Sequence, residues 1–435
     1  MNSTFCSLLD AERERQNSTI ELIASENFPS YNIRMAQASC LISKYAEGYP
    51  DCETMGSRGR YYGGCKYIDG IEDLCRKEFQ KVFNTDYHAN VQPHSGSQAN
   101  MAAYMSILSP GDTILSMSLD NGGHLSHGSP VNFSGKLYNI VNYGLDKNGY
   151  IDFEDFKRKI IAYAPDLIVV GASAYPRILD FKKFKEVIEE LREQNKILHP
   201  IYLMVDMAHI AGLVAAGMHP SPFGYADIIT TTTHKTLRGP RGGVIFCKPY
   251  LAKKIDGAVF PTCQGGPLEH VIAAKCIAAQ EAQTADFKAY ISNVMNNCKA
   301  MEKVFAKNGI DMVTGGTDNH LILLDLTKNG ISGKELQEKL EDYNITANKN
   351  CIPNDKRSPK ETSGLRIGTA AMTTRGFNKR DAEIVAEIIS AVIKRDKEKI
   401  QKYLQEYDSS TRPHLVSVED IGKNILNESF WKTQL

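Results

Sequence analysis

Between residues 70 and 250 the chain alternates short apolar runs with longer amphipathic stretches, and this alternation limits the possible folds more than any other feature. The runs at 112–117, 137–141, 166–171, 201–205, 226–231 and 244–246 read as strands. The stretches at 71–83, 98–108, 153–163 and 181–194 carry apolar residues at helical spacing. Strands separated by helices run parallel, because the helix carries the chain back over the sheet. Both faces are then covered, which explains why the strands are apolar throughout rather than alternating. After Gln264-Gly265-Gly266-Pro267 the texture changes. Residues 268–305 read as one long helix, followed by short strands (311–313, 321–324, 365–367) among helices (332–341, 379–395). The expected organisation is α/β: an N-terminal helical arm (1–45), a large, mostly parallel sheet domain (46–275) and a smaller α+β domain (276–435). The Gly/Tyr-rich residues 45–64 are expected to be irregular.

Bulk numbers exclude some functions. Lys+Arg and Asp+Glu both number 51, so no net charge drives binding to nucleic acid or anionic membrane. The ten cysteines include no Cys-x-x-Cys pair and no His cluster completes a zinc site, so no metal is expected. No run of about 18 apolar residues suggests a membrane span. The first residues lack the basic and apolar regions of a signal peptide, so a cytoplasmic address with reduced thiols is expected.

In open α/β sheets ligands bind beyond the carboxyl ends of the strands. Lys235 stands there, after Thr230-Thr231-Thr232-Thr233-His234 and before the breakers Gly239, Pro240, Gly242 and Gly243. A lone lysine is ordinarily a surface residue, but at a strand end it can be desolvated. Desolvation lowers an ammonium's pKa and frees the amine to attack a carbonyl. Asp206 ends the 201–205 run and needs a cationic partner or a helix to cap. Ser95, Gly96 and Ser97 precede a helix, where backbone N–H groups and the dipole favour a phosphate. Gly265 and Gly266 could add further donors. Arg366 lies inside an apolar strand and must face either a substrate carboxylate or a structural acid. A Schiff-base lysine, a ring-nitrogen partner, a phosphate cradle and a carboxylate clamp together specify pyridoxal-phosphate chemistry on amino acids.

The chain strongly resembles the serine hydroxymethyltransferase (glycine hydroxymethyltransferase) family over residues 10–400. The matching motifs are Glu21-Leu22-Ile23-Ala24-Ser25-Glu26-Asn27, Lys44-Tyr45-Ala46-Glu47-Gly48-Tyr49-Pro50, Arg60-Tyr61-Tyr62-Gly63-Gly64, Gly122-Gly123-His124-Leu125, Asp206-Met207-Ala208-His209 and the threonine–His–Lys run. The resemblance implies a fold-type I pyridoxal 5'-phosphate enzyme that is a homodimer or a dimer of dimers. Its activity would be reversible conversion of L-serine and tetrahydrofolate to glycine and 5,10-methylenetetrahydrofolate, with folate-independent cleavage of 3-hydroxy amino acids as a side activity. It implies Lys235 as the lysine in covalent aldimine linkage to the cofactor, Asp206 as partner of the ring nitrogen, and His124 stacked on the ring. Ser173 and His209 would lie near the phenolic oxygen. Ser95, Gly96 and Ser97 would hold the phosphate, helped by Gly265 and Gly266 of the other subunit. Arg366 and Ser25 would bind the substrate carboxylate, and His234 would bear on reaction specificity. Glu47 would handle the hydroxymethyl proton across the dimer, flanked by Tyr45 and Tyr62. Leu119, Gly123, His124, Leu125, Asn350, Ser358 and Pro359 would form the folate cleft.

The chain departs from the family pattern in one segment. Asp51 to Gly59 is longer than expected, and is either a surface bulge or a wall that narrows the folate mouth; Cys52 on it would be an oxidisable thiol. Asn121 and Ala370 replace a usual histidine and proline without removing a catalytic group. Two other readings stay open. A threonine aldolase or another fold-type I enzyme would share the lysine, aspartate, phosphate loop and arginine, but plain aminotransferases would lack the Tyr45–Gly48 motif and the paired Tyr61 and Tyr62. A non-catalytic binding protein built on the fold would not need every catalytic position filled.

Overall fold

The computed structural model describes residues 3–50 and 59–423. The longer segment, apart from Gly59, lies outside the described residues, as does Cys52. Seven strands form the large sheet: β1 (His88–Asn90), β2 (Thr113–Met117), β3 (Asn139–Tyr143), β4 (Leu167–Val170), β5 (Tyr202–Asp206), β6 (Ile228–Thr232) and β7 (Gly243–Cys247). Their order is β1-β7-β6-β5-β4-β2-β3. Only β7 runs antiparallel to its neighbours β6 and β1. The apolar runs predicted six of these strands. The three-residue edge strand β1 is too short to leave a periodic signal. The order reverses between β2 and β4, which opens a crevice above their carboxyl ends.

A second sheet holds β8 (Asp311–Met312), β9 (Leu321–Asp325), β10 (Asn348–Asn350) and β11 (Gly364–Gly368), in the order β10-β11-β9-β8, all antiparallel. The two sheets have separate apolar cores. One gathers Phe79, Phe184, Phe246 and Phe287 around the large sheet; the other gathers Phe305, Leu324, Leu340 and Ile389.

Two expected elements are broken. The 268–305 stretch is two helices, Glu269–Glu281 and Ala285–Lys307. Thr284 interrupts it: its hydroxyl accepts from Phe287 N–H at 3.2 Å and caps the second helix. Residue 275, the expected boundary, falls inside the first of these helices. The N-terminal arm is also not one helix. It comprises the helices Ser3–Ser18 and Tyr31–Gln37 with Ile20–Glu21 between them, which pairs parallel with Ile345–Thr346. Thr19 and Ile20 are β-branched and leave the helix at a point where the strand pairing is available.

The chain's end packs against its beginning. Tyr31 N–H donates to Ile421 O at 2.8 Å, Arg34 donates to Glu419 O at 2.8 Å, and Arg375 bridges Val416 O and Gln16 O.

Lys275, which showed no signal in the sequence, ties the large sheet to the helix that covers it. Its ammonium is fully buried and donates to Val91 O, Pro93 O and Gly243 O at 2.7–2.9 Å. Burial pulls its pKa down to about 8. Lys275→Met removes a buried donor from three carbonyls, of which Pro93 O keeps its bond from Gly243 N–H at 3.0 Å. Urea unfolding at unchanged m is expected to show a loss of about 2–5 kcal/mol. A loss under about 1 kcal/mol would contradict this role.

Candidate active site

A cavity of about 540 Å³ opens over the carboxyl ends of β2, β4, β5 and β6. It brings together Ser25, Ser95, Gly96, Ser97, His124, Ser173, Asp206, His209, His234, Lys235 and Arg366. These sequence-predicted residues come from segments almost 350 positions apart, and the second sheet supplies one wall.

Lys235 follows β6 where the chain turns away. Gly239 N–H donates to Thr233 O at 2.6 Å and Arg238 N–H to Lys235 O at 3.0 Å. Arg238 adopts φ +59°, with its guanidinium 4.3 Å above the Tyr290 ring. Asn27 fixes the lysine's backbone, its amide donating to Lys235 O and to Tyr290 Oη, both at 2.8 Å. The amine is therefore mounted on a held backbone. Burial lowers its pKa to about 8, against the opposing attraction of Asp206; Arg366 and Arg241 lower it further.

Asp206 closes β5. Its Oδ1 accepts from Ala208 N–H at 3.0 Å, and its Oδ2 accepts from Asn100 and His127 at 2.9 Å each. His127 Nδ1 accepts from His124 N–H at 3.2 Å, so the ring's proton sits on Nε2, facing the carboxylate. Burial alone would raise the Asp206 pKa, but these donors outweigh it and hold the group well below the usual carboxylate range. Asn100 also donates to Ser126 Oγ at 2.8 Å and accepts from Thr230 at 2.6 Å. Ser126 in turn contacts His124 Nδ1 through both its N–H (3.2 Å) and its hydroxyl (2.7 Å). Nδ1 of His124 is thus an acceptor, and burial pushes the ring's pKa down to about 4, so the ring is neutral at pH 7. Sequence reasoning missed Asn100, Ser126 and His127. A histidine three residues after His124 was the available signal.

At one end of the cavity lies the N-terminus of helix Gly96–Ile107, capped by Ser95, whose hydroxyl accepts from Gln98 N–H at 3.2 Å. A Cβ on Gly96 would stand 2.5 Å from the Thr232 side chain, so no larger residue fits. The buried Thr232 hydroxyl and His94 Nε2 beside this cradle have no partner among the described residues. At the other end, Arg366 on β11 donates to Ser173 O at 2.8 Å and to Asn348 at 3.1 Å. Burial lowers its pKa to about 10, still cationic at pH 7, and among the described residues no acid pairs with it. The structural-acid alternative for Arg366 is therefore not met. His209 Nδ1 lies 3.3 Å from His320 Nε2, a second buried histidine without a sequence signal. Burial drives both rings' pKa values down, that of His320 to about 3, and does the same to His234.

The remaining predicted residues divide. Leu119, Gly123, Leu125, Asn350 and Pro359 line the cavity mouth, with Leu119 and Leu125 exposed. Ser358 is exposed and does not line it. Tyr45, Glu47, Tyr62, Gly265 and Gly266 are also absent from the cavity and form a second cluster. There Tyr45 Oη donates to Glu47 Oε1 at 3.3 Å, the Tyr45 and Tyr62 ring centroids are 5.0 Å apart, and a Cβ on Gly265 would meet Glu47 Oε1 at 3.0 Å. The two clusters hold complementary halves of the expected chemistry.

The family model described as serine hydroxymethyltransferase matches residues 1–389. Enzymes of that family are one-carbon transferases that carry pyridoxal phosphate on a lysine and use tetrahydrofolate as cosubstrate. The cavity fits this cofactor: an uncommitted buried amine, an ionised carboxylate for the ring nitrogen, and a helix N-terminus beside two unpartnered buried polar atoms for the phosphate. No helix among the described residues is long and apolar enough to cross a membrane. Reductive trapping of an aldehyde on cofactor-free protein should accelerate with pH through a midpoint at about 8, as Lys235 loses its proton. Lys235→Ala should remove the component with this midpoint from trapping by the protein's other amines, and a midpoint near the ordinary lysine value of about 10.4 would contradict the site's electrostatics.

Proposed function

We infer the reaction from two premises: the chain belongs to the serine hydroxymethyltransferase family, and its cavity is lined by four cationic side chains, Lys235, Arg241, Lys349 and Arg366, against two carboxylates, Glu26 and Asp206. That excess positive charge is the observation that carries the reading. A cavity with Lys235, Arg366 and Asp206 needs anions, and a phosphate plus an amino-acid carboxylate supply them. We propose reversible conversion of L-serine and tetrahydrofolate to glycine and 5,10-methylenetetrahydrofolate, in a cytoplasmic homodimer.

When bound, pyridoxal phosphate supplies an aldehyde carbon for the amine and a ring that takes up electrons from Cα. The chain's own residues do the rest. Lys235, with its pKa lowered to about 8, loses its proton far more readily than an ordinary lysine. Asp206, held ionised by His127 and Asn100, would keep a proton on the ring nitrogen. His124, held neutral, would stack on the ring. The Ser95–Ser97 cradle would hold the phosphate, and Ser173 and His209 would serve the phenolic oxygen. Arg366, with Ser25, grips the substrate carboxylate through a guanidinium face no protein acid occupies. His234, buried and neutral beside Lys235, bears on reaction specificity. Leu119, Gly123, Leu125, Asn350 and Pro359 form the folate wall.

Glu47, Tyr45 and Tyr62 lie outside the cavity of their own chain, as do Gly265 and Gly266. We propose that they complete the cavity of a second subunit, where Glu47 moves the hydroxymethyl proton in a closed, dry site. Folate-independent cleavage of 3-hydroxy amino acids is proposed as a side activity, because Lys235, Asp206 and Arg366 act without folate.

Arg366→Lys removes the planar fork. It should raise KM for L-serine by roughly 10- to 150-fold, the equivalent of about 1.5–3 kcal/mol, with cofactor absorbance kept. Unchanged KM would contradict the clamp. Glu47→Gln should abolish folate-dependent cleavage. Mixing inactive Lys235→Ala and Glu47→Gln dimers should restore about a quarter of wild-type activity, since half the dimers become hybrids with one complete site. Mixtures that stay inactive after subunit exchange would contradict the shared site.

A further inference from the structure

Arg60 is the most fully committed side chain outside the cavity. Its guanidinium is 3% exposed. Nε donates to Asp69 at 2.8 Å and Nη2 to Glu72 at 2.6 Å, both on the helix Lys66–Val82. The two donors of Nη1 go to backbone: Ala46 O at 2.8 Å and Gly48 O at 3.0 Å. These are the carbonyls on either side of Glu47. The carbonyl between them, Glu47 O, accepts from Tyr61 N–H at 2.8 Å. Three consecutive carbonyls are thus held by one arginine and its neighbour.

The surrounding groups reinforce this grip. Gly48 O takes a second bond from Gln92 at 2.9 Å, and Gln92 also donates to Glu72. Gly48 sits at φ +97°, and a Cβ there would stand 2.6 Å from Gly59 O, so only glycine permits the close pairing of residues 48 and 60. Glu269 lies 3.8 Å from Arg60, and neither of its buried oxygens has a hydrogen bond. A surface turn does not require a fully desolvated arginine. A carboxyl that must be presented at a fixed point does, because a misplacement of about 1 Å at a reacting group can cost roughly 100-fold in rate.

We propose that Arg60 is the positioning residue for Glu47: by binding the carbonyls on both sides of it, Arg60 fixes where that carboxyl is presented. The proposal rests on the reading of Glu47 given above.

Removing Arg60 alone would leave Glu72 as a buried, unpaired carboxylate. The test therefore uses Arg60→Gln with Glu72→Gln, compared with Glu72→Gln alone, and Arg60→Lys as the conservative variant. Each is made with Glu47 intact and in a Glu47→Asp background, whose carboxyl is already displaced by one methylene. With Glu47 intact, the Arg60→Gln pair should lower kcat for folate-dependent serine cleavage about 10- to 100-fold, with KM for serine moving less than about threefold. Arg60→Lys, which keeps the charge but not the fork, should fall between. In the Glu47→Asp background the same change should cost less than about threefold, because the two residues act as one unit. Equal losses in both backgrounds, or no loss in either, would overturn the proposal. Full activity of Glu47→Gln would overturn the reading beneath it. An inactive Glu47→Gln beside a fully active Arg60 variant would overturn the proposal alone.

Discussion

Asp206 is buried at the end of β5 with both oxygens bound to the protein, and those bonds favour its ionised form despite the burial. The rest of the cavity is arranged around this anion. Asn100 reaches it from the helix Gly96–Ile107 and His127 from the short turn Leu125–His127. The same contacts orient Ser126, and through it the neutral ring of His124. Lys235 feels the carboxylate as its one attractive neighbour, against burial and two arginines that disfavour its charge. Without an ionised Asp206 the lysine's pKa would fall further, and nothing would hold a proton on a ring nitrogen.

Much of this was legible in the sequence. Apolar runs of three to six residues revealed the strands, because both faces of a parallel sheet are buried. Lys235, Asp206 and Ser95 stood out because each sits at a strand or helix end, and Arg366 because it lies inside an apolar strand, where a charged side chain needs a reason. Asn100 and His320 left no such trace, and His127 only its spacing of three from His124. Their roles depend on which side chains meet across the fold, and a lone histidine or asparagine carries no period. The break at Thr284 was missed for the opposite reason: the helical period resumes after it, and one capping hydroxyl is a weak signal within a long apolar pattern. Lys275 reads as an ordinary helix cation, and only the three carbonyls around it explain its burial.

The separation of the two clusters also answers a question the motifs left open. Glu47 and Lys235 belong to one set of family motifs, yet they occupy different parts of the same chain. The cavity around Lys235 gathers the buried lysine, the ionised carboxylate and the arginine. The cluster around Glu47 gathers a carboxyl and two phenols. On the proposed shared site, folate-dependent turnover needs both halves and therefore assembly, whereas folate-independent cleavage draws on the cavity alone.

The central claim is that this cavity couples an amino acid bound through Lys235 and Arg366 to a folate at the Leu119–Leu125 wall. The most direct test is the visible spectrum of the cofactor-loaded protein as glycine and then tetrahydrofolate are added. The account predicts a new long-wavelength band that becomes strong only when both are present, because folate must promote proton loss from the bound glycine. A spectrum that glycine changes but folate leaves untouched would contradict it.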